Sequence, residues 1–113
     1  FQLSAQTPPR IDSLKMELAK EKKEKIQCEL MISLASNYLK YKIDSAFFYA
    51  EDAVVLAERL GYWELIARSK NEYAIILYRA GKFEEAEKMI RIGLEGKPNN
   101  DRGYNDGNTV YLG

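Results

Sequence analysis

Histidine occurs nowhere in this chain. Its absence removes both the usual general base near neutral pH and the commonest metal ligand. The single cysteine, Cys28, can form no internal disulfide and has no histidine partner to make it a nucleophile, while the redox compartment stays open. There is no Gly-rich phosphate loop. No apolar run approaches the length of a membrane-spanning helix, because charges interrupt each one within a few residues. An excess of charge of either sign is also missing, since 17 Lys and Arg face 17 Asp and Glu. That balance gives no support for a general nucleic-acid surface or an anionic-membrane surface.

What is present is a chain of 113 residues, 46% hydrophobic and 30% charged, the size of one compact core. Its punctuation is helical. Thr7 before Pro8 reads as an N-cap followed by a first-turn proline, opening a helix over 8–22 with Ile11, Leu14 and Leu18 on one face. The stripe vanishes through KEKKEK, and a break is expected near Lys23. Gly61, Gly81 and Gly96 each follow a periodic segment, where a left-handed residue ends a helix at little steric cost. Helices over 25–41, 44–60, 62–80 and 83–95 follow.

Within that frame, ARSKNEYAIILYRAGKFEEAEKMIRIGLEGKPNN, Ala67 to Asn100, carries a recurring set of large and small residues. Tyr73, Ala74 and Leu77 lie on its first helix, Ala86, Ile90 and Gly93 on its second, and Pro98 closes it. Spacings of three and four put these side chains on one face, and the small ones let helix axes approach closely. The unit resembles a tetratricopeptide (TPR) repeat, with Lys70 where that family often has Trp. Upstream, Leu34, Ala35 and Tyr38 followed by Ala46, Ala50 and Ala53 repeat the pattern, with a turn one residue short. The step from Ala46 to Ala86 is about forty residues, which is similar to the longer-period subfamily found in signalling scaffolds and sensor proteins.

The resemblance implies an all-α fold: a right-handed superhelical array of antiparallel helix pairs, about five helices in a single domain over 1–113. Its parts would be an N-terminal capping helix (8–22), repeat 1 (25–61), repeat 2 (62–100) and a non-helical tail (101–113). It also implies a non-catalytic scaffold that binds a protein or peptide, with no cofactor, no metal, no nucleic acid and no direct membrane insertion. First helices line the concave surface in this family. The groove positions carried over are therefore Ile32, Ser36, Leu39 and Lys40 from the upstream unit, and Asn71, Ile75, Tyr78 and Arg79 from the second. Ile32 and Ser36 stand where two members of the family's terminal-carboxylate clamp belong, which argues against a chaperone-tail adaptor. The chain is expected to be an input or regulatory region of a bacterial signalling protein; alternatives are a free-standing, self-associating adaptor and a small-ligand-binding helical domain.

Several segments carry bland and sharp readings side by side. Cys28, beside Leu30 and Met31, reads as a structural thiol. Glu84, Glu85 and Glu87 complement the dipole at the start of a helix, and the residues over 99–108 lack the ligand spacing of a calcium loop. Tyr38, Phe48, Tyr73 and Phe83 have core-like spacing, and Tyr62 and Trp63 are expected to pack the junction between the repeats. The tail carries a hairpin-turn signal at Asp106-Gly107 and is either a linker or a segment that docks in a groove. FQLSA at the N-terminus resembles the end of a secretory signal, favouring an extracytoplasmic location over a cytoplasmic one. Two repeats leave apolar ends, so self-association into a homo-oligomer is expected.

Overall fold

The computed structural model describes residues 7–95. It contains five helices in that span: α1 (Pro9–Lys20), α2 (Glu24–Tyr38), α3 (Ile43–Leu60), α4 (Trp63–Arg79) and α5 (Phe83–Glu95). Successive helices pack on one another in order, and α2 also packs against α4. The first helices of the two pairs are thereby neighbours. This is the all-α helical-repeat architecture expected from the sequence.

Two glycines fix the turns. Gly61 and Gly81 adopt φ of 79° and 85°, in the left-handed region. A Cβ at either position would meet nothing within 4 Å. Backbone conformation, not crowding, is therefore what these sites demand of the residue. The turn after α2 uses no glycine: the amides of Tyr41 and Lys42 both donate to the Tyr38 carbonyl, at 2.8 and 2.7 Å. The break in the charged run lies at 21–23, where Gln27 Nε2 donates to the Glu21 carbonyl at 2.7 Å. Gly96, Pro98, the FQLSA segment and the tail over 101–113 lie outside the described residues.

One detail of the N-terminus differs from expectation. Pro8, not Thr7, occupies the N-cap, with φ −54°, ψ 140° and no side-chain capping bond, and Pro9 opens the helix. Steric conflict with a following proline disfavours helical ψ, so Pro8 is held extended by Pro9. Pro9, not Pro8, is thus the first-turn proline.

Three apolar clusters run along the array. The first joins Ile11 and Leu14 of α1 to Leu34, Ala35 and Tyr38 of α2, Ala46 and Ala50 of α3, and Ile76 of α4. The second gathers Cys28, Ile32, Ala53, Leu56, Ala57 and Leu65. The third is smaller, with Ala74, Leu77 and Ala86. Ala46, Ala50, Ala53 and Ala57 form a buried stripe at steps of three and four along α3. With only a methyl at each position, the neighbouring axes can approach closely.

The aromatics divide. Tyr38 is buried and Tyr73 half-buried, with its Oη donating to Glu51 on α3 at 3.1 Å. Phe48 and Phe83, expected in the core, are 57% and 58% exposed. Phe48 lies two residues from both Ala46 and Ala50, which puts it across the helix from their stripe. Phe83 begins α5 and instead meets Tyr78 edge-on, with ring centroids 4.9 Å apart. Trp63 is 2% exposed at the start of α4, and Tyr62 packs against the second cluster with Lys25 Nζ 5.3 Å from its ring centroid. These two residues fill the junction between the helix pairs. Lys70, at the position where Trp is common, is mostly covered and pairs with Glu58 at 3.0 Å. Its aliphatic stem packs while its charge reaches out.

Candidate functional site

The surface shared by α2 and α4 is defined by an ion pair that crosses it. Arg68 Nη1 stands 3.9 Å from Glu29 Oε2, and both side chains are about 40% exposed. From this pair, steps of four, three and four trace one stripe along each helix. Glu29, Ser33 and Ser36 mark α2, and Lys40 lies at the next step, in the turn that follows it. Arg68, Glu72, Ile75 and Arg79 mark α4 at the same repeat step. Glu29 and Glu72 lie in the N-terminal halves of these stripes, Arg68 opens the α4 stripe, and Lys40 and Arg79 stand at the C-terminal ends.

The eight positions taken from the family resemblance separate on this geometry. Ser36, Ile75 and Arg79 fall on the two stripes, Lys40 stands in the turn just beyond the α2 stripe, and all four are exposed. Ile32 is 7% exposed and belongs to the second core cluster, while Leu39 is half-buried against the first. Both are core residues, because each lies four residues beyond a fully buried one, Cys28 and Ala35 respectively. Their counterparts on α4, Asn71 and Tyr78, are exposed. Ile75 and Tyr78 also line an open apolar groove of about 590 Å³ between α4 and α5, with Ala74, Phe83, Ala86, Glu87 and Ile90.

Glu29, Ser33, Arg68 and Glu72 are the stripe residues that sequence reasoning missed. Their signal was present in the repeat register itself: each α2 position has an α4 counterpart at the step that relates Ser36 to Ile75. Glu72 is half-buried, and desolvation pushes its carboxyl above the ordinary value. A cation from a ligand would restore what burial removes. Nearby polar groups are satisfied within the helices: Asn37 Nδ2 donates to the Ser33 carbonyl at 2.8 Å, and Ser69 Oγ to the Ile66 carbonyl at 3.1 Å.

The surface provides recognition chemistry. Cys28 is fully buried, and its Sγ donates to the Ala53 carbonyl at 3.4 Å. Burial pushes its thiol up from 9.0 to about 11, with Arg68 opposing and Glu29 reinforcing the shift. Each unit of such a shift lowers the thiolate fraction roughly tenfold near pH 8. Native protein is therefore expected to react with iodoacetamide at pH 8 at least ~100-fold more slowly than the unfolded chain. Equal rates by mass spectrometry would show that the thiol is accessible. Among the described residues, no group of three or more His, Cys, Asp or Glu is placed to hold a metal ion. No helix there is long and apolar enough to cross a membrane.

Comparison with known families returns one described as the SusR N-terminal TPR domain, which matches residues 2–95. No curated protein and no solved structure matches the chain.

Proposed function

Because the chain belongs to the SusR N-terminal TPR domain family, we propose that it is a non-catalytic interaction module that docks a protein or peptide on the α2/α4 face, as the input region of a bacterial regulatory protein. TPR domains are protein-binding scaffolds, which is the coarse function that membership carries. The paired stripes bridged by Glu29 and Arg68 are the observation that favours this face. Lys40 and Arg79 suit an acidic group on the partner, and Glu72 suits a basic one. Ser33, Ser36 and Ile75 offer hydrogen bonding and apolar contact between those poles. The family name places such domains at the N-terminus of their proteins, which supports an input role with the output carried elsewhere. We further propose self-association through an exposed end of the array, since each helix pair buries its apolar faces only against neighbours.

The binding face is tested by affinity capture with native chain and with Ser36→Arg/Lys40→Glu. Both substituted residues are exposed, so helicity should be preserved. We expect the variant to lose at least one protein that the native chain retains, with roughly tenfold lower recovery. Equal recovery of every protein by a folded variant would remove the α2/α4 face from consideration.

A further inference from the structure

Glu72 is a half-buried carboxylate to which the fold gives no partner. It lies on α4 one turn beyond Arg68, the residue that reaches across to α2. The cations nearest to it in sequence pair with other carboxylates, Arg68 with Glu29 and Lys70 with Glu58 at 3.0 Å. At the matching steps α2 carries Ser33 and Ser36, whose hydroxyls supply no charge. On the other helices packed against α4, Glu51 accepts from Tyr73 and Glu87 from Arg91. Among the described residues, Glu72 takes part in no hydrogen bond or ion pair. Partial burial of an unpaired charge costs stability, and a cation brought by a ligand would offset that cost.

We propose that Glu72 is the specificity-determining residue of the α2/α4 face, receiving one basic side chain of an extended partner segment whose acidic side chain, three residues away, meets Arg79 and Lys40. Charge complementarity selects this occupant. A uniformly acidic segment would bring its charge against Glu72, and a uniformly basic one would bring its charge against Lys40 and Arg79. Spacing selects the conformation. Arg79 stands seven residues beyond Glu72 on the same helix, about 10 Å along its axis. In a polyproline-like chain, side chains three residues apart lie on one side and about 9 Å from each other. A β-strand turns such a pair to opposite faces. Ile75, between the two poles and 39% exposed, supplies the apolar contact.

The pairing links binding to pH. In the free chain, burial raises the Glu72 carboxyl above its ordinary value. A cation at the site lowers it again, so binding below the free carboxyl's midpoint releases a proton. Affinity is therefore full above that midpoint and falls, toward tenfold per pH unit, as pH drops below it, until the midpoint of the complex is reached. Glu72→Gln removes this dependence while keeping the shape of the side chain.

This inference rests on the proposed α2/α4 binding face and adds the chemistry of what that face binds. The probe is a short capped peptide with arginine and glutamate three residues apart and prolines between them, titrated by calorimetry at pH 7. A dissociation constant on the order of 100 µM is expected. A peptide of the same composition with the two charges adjacent should bind at least tenfold more weakly. Glu72→Gln should cost about tenfold, as should replacing the peptide's arginine by glutamine, and the two changes together should cost no more than either alone. In the native chain, the carbon-13 carboxyl titration of Glu72 should move to lower pH when the peptide saturates it, a readout that needs no variant. Equal binding of both charge spacings, undiminished binding by folded Glu72→Gln, or an unmoved carboxyl midpoint at saturation overturns the role of Glu72. No binding at about 5 mM peptide overturns the partner chemistry. None of these results removes the face itself, which falls only if folded Ser36→Arg/Lys40→Glu retains every captured protein.

Discussion

Leu34→Ala is expected to lower the free energy of unfolding by about 3 kcal/mol, within the range seen when buried leucines are truncated. Leu34 is completely buried and belongs to the cluster that joins four helices. Truncation removes three carbons from the place where Ile11 and Leu14 of α1 meet Ala46 and Ala50 of α3 and Ile76 of α4. These neighbours come from different helices held by their own contacts, so the site cannot collapse by moving one of them. The cost should therefore include a cavity as well as lost transfer energy. Domains of this size are stable by about 5–15 kcal/mol, so a large share is lost, and the melting temperature should fall by roughly 10–20 °C. Thermal unfolding followed by circular dichroism measures it. A change below about 1 kcal/mol would mean that the first cluster is not the centre of the fold.

The second large effect comes from adding volume. Ala53→Leu places three extra carbons in a fully buried position of the α3 alanine stripe, where the Ala53 carbonyl also accepts the Cys28 thiol at 3.4 Å. Overpacking a well-filled core costs about 1–3 kcal/mol, and the upper end is expected where the added group sits against a neighbouring helix. Leucine and alanine have similar helix propensity, so the cost measures packing alone. Ala19→Leu, on the exposed side of α1, is the matched control and should change stability by less than about 0.5 kcal/mol. If denaturant titration gives the same small change for both substitutions, α3 does not pack closely through its alanine stripe. The variant should also accelerate Cys28 alkylation, because displacing α3 uncovers the thiol it shelters.

Much of this architecture was legible in the chain. Gly61 and Gly81 marked helix ends because an αL residue is needed there whatever surrounds it, and the observed φ values are those of that conformation. The alanine spine of α3 announced close packing, and Cys28 read as a structural thiol from its apolar helical neighbours. Trp63 and Tyr62, following the Gly61 stop, announced a packed junction. Other features depended on geometry that periodicity states only partly. Phe48 had the size of a core residue, but its angular position relative to Ala46 and Ala50 sends it outward. Phe83 had the spacing of one, yet no described helix follows to cover it. Ile32 and Leu39 came from family positions, whereas counting four residues on from Cys28 and Ala35 puts them in the core. The stripes on α2 and α4 were hidden for a different reason. Glu29, Ser33, Arg68 and Glu72 form no motif within one helix and acquire meaning only when two helices are laid side by side.

The reading of the chain as a docking module depends on where a partner touches it. Backbone hydrogen exchange, compared for the chain alone and with a protein retained by affinity capture, locates that contact directly. Protection should rise along α2 and α4 about Ser36, Lys40, Ile75 and Arg79, with the outer face of α3 unchanged. Protection confined to α3, with α2 and α4 exchanging as in the free chain, would contradict the assignment of the α2/α4 face as the binding surface.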